Sequence, residues 1–378
     1  MINKKLLLIL LPLASLTACV KDNPKETAHG APQEIVFDHP IVAASRSKAI
    51  SGSIEGTFPQ SQDFKVWAFY SDGAFSRWDA PGSGQLYMDG VTVSYNPGID
   101  DGTPGSGAWN SNPSYWWPKN GKLTFAACAP ATIAASTVNY AEDGLSINGF
   151  TVDSDPTKQI DLMYSERSFN KTESTGTNAT YDGVDIVFNH ALSSIKFKAR
   201  ANYNYGGEGA KTFITGVRLV NVYESGNFKE NVRTDVQTSY SSNPAWRGQS
   251  SQKDYQATPS TLNQEIGSSI VDVESGDIDL ILLPQQFDHG SAGHVMIEVT
   301  YKQGVSGETK TVTIDLVNGN DTDDDGVGDD YFYDGATRIT GWEPGKRYTY
   351  TLTFGRYKIL FTPTVVSWIN QDNDAIEI

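Results

Sequence analysis

Cysteine is almost missing from this chain: there are two in 378 residues, Cys19 and Cys128. A disulfide framework is therefore excluded as the source of its stability. Histidine is nearly as scarce, with five residues scattered at His29, His39, His190, His289 and His294. Basic residues are under-represented, 29 against 45 acids, for a formal charge of -16. A nucleic-acid partner is excluded on that ground, because phosphate binding needs a basic face. Long stretches of helical period are lacking too. So are a nucleophile elbow, a P-loop, a dinucleotide fingerprint and a zinc-helix motif, which leaves no assembled catalytic set and a reading as a non-enzyme. A glycosidase's two facing carboxylates would leave no such signature in spacing alone.

What is present points to β-structure. The chain has 35 Gly, 17 Pro, 18 Tyr and 8 Trp, with short apolar alternations bounded by turn residues. These favour an all-β class. The stretch from Gly183 to Arg200 organises the whole. Val184, Ile186, Phe188 and Leu192 share one strand face with His190, and then the apolar set changes parity to Ile195, Phe197 and Ala199. A bulge or bend near Ser193 and Ser194 would absorb the extra residue and let one strand serve two parts of a core. The Ser/Thr/Asn-rich run from Ser168 to Asp182 reads as a linker, giving one β domain before it (34–182) and a second after it (183–378).

At the N-terminus, Lys4 and Lys5 precede an apolar core from Leu6 to Leu16, too short for a stable bilayer anchor. It ends in Leu16-Thr17-Ala18-Cys19, which matches a bacterial lipobox, with residues 1–18 as the signal peptide and the Cys19 thiol as the palmitate acceptor; a plain secretory signal is the alternative. Once Cys19 is acylated, Cys128 has no partner, and its L-T-F-A-A-C-A-P setting reads as a small buried residue. A polar tether (19–33) leads to Glu34–Ala44, a segment of strand character in which Pro40 suggests an edge position. Ile35, Phe37, Ile41 and Val42 are the side chains it would bury. The small, basic run S-R-S-K that follows is a loop open to a trypsin-like protease.

Further along, Asp63–Tyr70 is apolar on both faces apart from Lys65, and Gln85–Tyr95 reads as a hairpin turning at Asp89-Gly90. Val217, Leu219 and Tyr223 are expected on one face of a strand, Lys229–Ser260 as an extended polar loop. Two clean alternations follow, Val295, Ile297, Val299 and Val312, Ile314, Leu316, and Tyr348, Tyr350, Leu352 and Phe354 repeat the pattern. Asp288-His289 and His294 share a turn-rich segment, either a metal pair or polar loop histidines. Asp321, Asp323, Asp325 and Asp329 stand at positions 1, 3, 5 and 9 around Gly326, the first part of an EF-hand-type calcium loop, but Phe332 holds the place of the closing glutamate. Two readings fit: a calcium site, or a solvated, charge-rich hairpin loop. Trp116 and Trp117 should face opposite sides of a strand. A surface glycan-binding lipoprotein is the alternative function, with Trp109, Trp116, Trp246 or Trp342 as its platform.

Seven stretches in order behind the lipobox carry a resemblance: W-W-P-K-N-G-K-L-T-F, D-L-M-Y-S, V-F-N-H-A-L-S-S-I-K-F, V-R-L-V-N-V-Y-E-S-G-N-F, L-I-L-L-P-Q-Q, W-E-P-G-K-R-Y-T-Y-T-L and V-V-S-W. Together they resemble the fimbrillin-like family of Bacteroidetes, the subunits of type V pili. The resemblance implies two tandem transthyretin-like antiparallel β-sandwich domains and export as a lipoprotein to the outer membrane and cell surface. It also implies cleavage after an arginine, here Arg46, which removes the strand within 34–46. A donor strand from a neighbouring fimbrillin subunit then fills the groove; residues 359–378 are the candidate donor. The implied role is structural and adhesive within a homo- or heteropolymeric fimbria, toward a host or bacterial surface receptor.

The lipobox generates the first prediction. Cys19→Ala should abolish membrane anchoring and the incorporation of radiolabelled palmitate; label still entering the variant would refute acylation at Cys19.

Overall fold

In the computed structural model, the described residues are 34–43, 56–71, 85–97, 107–118, 122–133, 137–141, 144–165, 168–169, 183–202, 211–230, 245–258, 261–273, 279–320, 331–355 and 359–367. Cys19, Arg46, the acidic run with Asp321, Asp323, Asp325 and Asp329, and the tail from residue 368 lie outside them.

The first strands are β1 (Val36–Val42), β2 (Gly56–Thr57), β3 (Phe64–Ser71), β4 (Gln85–Asn96), β5 (Ala108–Asn112) and β6 (Lys122–Ala129). A hairpin of β7 (Val138–Ala141) and β8 (Gly144–Thr151) follows, then β9 (Met163–Ser165), β10 (Ser168–Phe169) and β11 (Val184–His190). Neighbours run β6-β3-β4-β5-β1-β11-β9, and β9 pairs back onto β6, so this sheet closes on itself like a barrel. Its pairings are antiparallel except β1 with β11, which is parallel. Phe37, Phe58, Phe64, Trp109, Phe125 and Phe188 fill the interior.

The second half contributes β12 (Ser193–Ala201), β13 (Thr212–Lys229), β14 (Ala245–Gln256), β15 (Gln264–Ile266), β16 (Val271–Asp272) and β17 (Leu280–Leu282). After these come β18 (Met296–Gln303), β19 (Thr309–Asp315), the small ribbon β20 (Tyr333–Asp334) and β21 (Thr337–Arg338), β22 (Lys346–Phe354) and β23 (Ile359–Ser367). One sheet is ordered β16-β12-β22-β23, with β17 also on β12; the other is ordered β19-β18-β13-β8-β7, with β14 and β15 on β13. Ile195, Phe197, Tyr350 and Leu352 from the first and Val217, Leu219, Ile297 and Val299 from the second belong to one buried cluster. Two sheets sharing an apolar interior make a sandwich. The molecule is all-β, with several sheets.

The parity change in the central stretch has its physical counterpart. Val184, Ile186 and Phe188 point into the barrel, and after Ala191 and Leu192 the same run of chain becomes β12, whose Ile195, Phe197 and Ala199 point into the sandwich. The boundary expected after residue 182 does not coincide with the sheets, because β8 pairs with β13. β3, β6 and β9 explain why. Val66 and Ala68 face the barrel interior while Trp67 faces the sandwich core; Ala127 and Met163 face inward while Cys128 and Tyr164 face the other way. Strands apolar on both faces are those with a core on each side. Lys65 keeps its place by donating to the Ile133 carbonyl at 3.0 Å.

Three local expectations are corrected. Asp89-Gly90 is not a turn but a bulge within the single strand β4, where the register slips opposite Trp67. Gly90 has φ +58° and a Cβ there would sit 3.3 Å from the Trp67 indole, so glycine satisfies both constraints. In β13, Asn221 at φ 70° shifts the register, so Val222 rather than Tyr223 joins Val217 and Leu219 in the core. The polar run Lys229–Ser260 contains β14, paired along β13. It escapes an apolar-alternation reading because, within this strand, Tyr255 is its buried side chain.

Cys128 is fully buried, and burial pushes its thiol up to about 12. At pH 8 it therefore stays protonated. In a Cys19→Ala background, an alkylating reagent at that pH should leave the native protein unlabelled and modify it fully in guanidinium; rapid native labelling would contradict this packing.

Candidate functional site

β1 occupies the position on which barrel closure turns. The segment was expected at an edge, but it has partners on both sides. β5 lies antiparallel to its first half through Val36↔Asn110 and Phe37↔Trp109, and β2 lies antiparallel to its second half through Ile41↔Thr57 and Val42↔Gly56. On its other side β11 runs parallel, from Phe37↔Val184 to Val42↔Phe188. Pro40 is tolerated in this interior place because the register shifts between Asp38 and Ile41, so His39 and Pro40 oppose one residue of β11. A bulge is where a missing ladder donor costs least. The Pro40 carbonyl accepts from the Phe58 N–H at 3.0 Å. At the two ends, the Ile35 N–H donates to the Tyr115 carbonyl and the Ala43 N–H to the Phe188 carbonyl, each at 2.8 Å.

The side chains seat this strand in an aromatic slot. Ile35 and Val42 are 0% exposed and Phe37 2%. Ile41, expected among the buried set, is half-buried. Phe37 meets Phe64 and Phe125 edge-on, with centroids 5.9 and 6.0 Å apart. Behind it, Phe58 stacks on Phe188 at 4.8 Å and Phe64 packs against Trp109 at 5.4 Å. Such ring pairs add to the burial energy of each aromatic.

β23 is built differently. Among the described residues its sheet partner is β22 alone, from Phe354↔Ile359 to Lys346↔Ser367. Thr362 and Thr364 are exposed, Val366 is 49% exposed, and Ile359, Leu360 and Val365 are only half-buried. Yet its sequence, I-L-F-T-P-T-V-V over 359–366, parallels I-V-F-D-H-P-I-V over 35–42. Both have an aliphatic pair, a phenylalanine, a polar residue, a proline displaced by one place between the two runs, and two closing aliphatics. Run in the opposite direction, the pattern would set Thr364 where Phe37 stands, so the match has a sense as well as a composition. The pairing of residue 37 with residue 184 leaves no trace in local periodicity, but this internal similarity is a signal that sequence could have supplied.

At the mouth of the slot Glu34 bridges Trp116. Trp116 is 40% exposed and Trp117 7%, on opposite faces as expected. The Tyr87 hydroxyl donates to the Trp116 carbonyl at 2.6 Å, and its ring lies 5.7 Å from that of Tyr115. Burial, and then Tyr115, raise the Tyr87 phenol above its ordinary range, which keeps it a donor. Beside it Leu86 is 45% exposed. Of the other tryptophans proposed for a sugar platform, Trp109 and Trp342 are buried, and Trp246 is half-buried with its Nε1–H on the Ala191 carbonyl at 2.7 Å.

His190, His289 and His294 are held by local partners. His190 is buried with Nδ1 2.9 Å from Asp161. His294 Nδ1 lies 2.6 Å from Asp315 and its Nε2 3.7 Å from Asp288. His289 stacks on Tyr223 at 3.9 Å, with Nδ1 2.8 Å from Gln252. The described residues contain no group of three or more His, Cys, Asp or Glu arranged to hold a metal.

The family description that matches is fimbrillin-like, over residues 53–368. No curated protein matches the sequence. A fimbrial protein from Bacteroides vulgatus superposes with a TM-score of 0.51 at 16% identity, covering 88% of this chain and 99% of that one. A candidate cell adhesion protein from Bacteroides uniformis gives 0.45 at 13% identity, covering 89% and 99%. One from Bacteroides ovatus gives 0.45 at 14%, covering 91% and 100%. The likeness to the Bacteroides vulgatus protein bears on the fold.

Phe37→Ala should lower the stability of the uncut chain by about 3–5 kcal/mol, as for a fully buried phenylalanine, with urea denaturation as the measure. Val366→Ala on the half-exposed final strand should change it by less than about 1 kcal/mol. Equal effects would remove the contrast between the two strands.

Proposed function

We propose, from the premise that this chain belongs to the fimbrillin-like family, that it is a fimbrial subunit whose first strand is a removable placeholder for a neighbour's last. Membership of the family implies a cell-surface location, assembly with other fimbrillin subunits and a structural, adhesive role in place of catalysis. The finer reading adds lipidation at Cys19, an outer-membrane anchor, two transthyretin-like units, cleavage after Arg46 and donor-strand exchange. Calcium at Asp321, Asp323, Asp325 and Asp329 belongs to the same finer layer.

The observation that carries the reading is the match of residues 359–366 to residues 35–42, taken with the positions of the two strands. Arg46 falls in sequence between β1 and β2. A cut there leaves β1 joined only to the residues before it, so the strand can leave without unthreading. Its departure exposes two rows of backbone groups, on β11 and on β5 with β2, above an apolar floor. Three fully buried side chains, Ile35, Phe37 and Val42, are worth roughly 5–9 kcal/mol at about 1.5–3 each, an upper bound because unfolded chains bury some surface too. That rivals the whole stability of a typical domain, about 5–15 kcal/mol. The cut strand therefore stays until another strand displaces it, and assembly becomes the completion of a fold between chains.

Limited digestion with an arginine-specific protease should nick first after Arg46, and the nicked protein should grow into filaments visible by electron microscopy. A synthetic peptide of residues 359–378 should stop that growth. Nicked protein that stays monomeric for days at high concentration, or that ignores the peptide, defeats the strand-exchange reading.

A further inference from the structure

If β23 of one subunit replaces β1 of another, the length of chain behind it dictates where the donor's body must lie. From Phe354, the end of β22, to Ile359 there are five residue steps. Fully extended, they span at most about 17 Å. With Ile359 in the place of Ile35, the donor's Phe354 lies within that distance of the slot mouth, where the Ile35 N–H now meets Tyr115 and Glu34 meets Trp116. Four residues cannot hold two bodies apart; the donor's sandwich has to rest on that mouth.

Both surfaces are dressed for such a contact. At the mouth stands Trp116, 40% exposed, with Tyr87 and Tyr115 beside it. At the end of the sandwich where β22 stops, the Phe354 carbonyl accepts from Asn202 and the Ala201 N–H donates to Gly267. Thr212 pairs with both Ile266 and Gln303 at this same end. The turns continuing from those residues carry Ile270, 52% exposed, and Val305, 59% exposed. Three exposed large hydrophobics among the described residues, Trp116, Ile270 and Val305, thus fall on two surfaces that a short tether would press together.

We infer that the exposed Trp116, together with Tyr87 and Tyr115, forms the docking surface for the Ile270–Val305 end of a second copy of this chain. This rests on the strand-exchange reading and adds to it a body-to-body contact that a free strand would lack. It assigns the patch to a protein partner and not to a polysaccharide. Strand insertion then sets register, and the apolar mouth sets the angle and slows dissociation of the seated neighbour.

The experiment compares the chain nicked after Arg46 with two versions of it, one carrying Trp116→Ala and the other Ile270→Asp plus Val305→Asp. The substituted side chains are exposed, and thermal unfolding confirms that each variant folds like the parent. Each variant should bind the 359–378 peptide within twofold of the parent, while its filament growth, followed by light scattering, falls at least tenfold. A third preparation, with Trp116→Cys in one copy and Ile270→Cys in another, should give a dimer with a short bis-maleimide once chains form. Growth at the parent rate with peptide binding retained overturns the docking surface and leaves strand exchange standing. Failure of the parent to bind the peptide or to grow overturns strand exchange, and this inference with it. A surface polysaccharide that quenches Trp116 fluorescence, together with undiminished growth of the variants, would mark the patch as a sugar platform and overturn the assignment.

Discussion

Closure of the barrel depends on β1 being hydrogen-bonded along both of its edges. The strands on either side of it, β5 and β11, lie more than seventy residues apart in sequence and are bridged by nothing else in the ring. An edge strand that leaves exposes one row of backbone groups, which water can satisfy. An interior strand that leaves opens a slot with a row on each wall and an apolar floor between them. Such a slot specifies direction, because one wall accepts a parallel partner and the other an antiparallel one. It also specifies register, since a slip of one residue would turn Phe37 or its replacement away from Phe64 and Phe125.

The rest of the barrel is braced for the loss of that strand. Trp67, Cys128 and Tyr164 pack from β3, β6 and β9 into the sandwich core. β11 passes directly into β12, with Ala191 and Leu192 buried at the join. The Ala191 N–H donates to Leu162 and the Gly345 N–H to Leu192, both at 2.8 Å, which ties the crossing to both halves. One wall of the slot is therefore fixed by covalent continuity, and the strands beside it by a second core. The opposite wall, β5, hangs from β4, whose own support is β3. A slot with one wall fixed by the second core and the other hung from a single neighbour suits the strand exchange proposed above.

How much of this was legible follows from where the information sits. The crossing, expected near Ser193 and Ser194 and found just before them at Ala191 and Leu192, showed itself because a change of apolar parity is local and each side chain reports its face. The two-sided burial of Asp63–Tyr70 was visible for the same reason. Pro40 misled: proline argues for an edge only when the ladder is regular, and the bulge that accommodates it depends on β11, nearly 150 residues away. Gly90 and Asn221 misled in a related way, since a residue with positive φ reads equally as a turn or as a bulge until its partner strand is known. β14 was invisible because its backbone pairing with β13, and hardly its side chains, makes it a strand. The candidate site suffered most, because a slot is defined by what flanks it. The likeness of 359–366 to 35–42 was nevertheless on view in the sequence as two similar short runs at opposite ends.

In the proposed exchange, that likeness supplies the direction. In its own sheet β23 is paired on one side, to β22, with Val366 49% exposed and Thr362 and Thr364 turned to solvent. In the slot, the same residues would be paired on both sides and the aliphatic positions matching Ile35 and Val42 would be fully buried. A strand moving from an edge to an interior place gains backbone pairing and apolar burial together. β1, once cut, has no comparable place to go. The polar side chains at positions 362 and 364 fall where Asp38 and Pro40 now stand, beside the bulge, where the ladder is already irregular. The free-energy difference between the two strands therefore lies mainly in where each begins: one in the best site the fold offers, the other at its margin. On the strand-exchange proposal, cleavage would do little to the energy of β1 where it sits; it would free the strand to be lost, and the marginal strand of a neighbour would take its position.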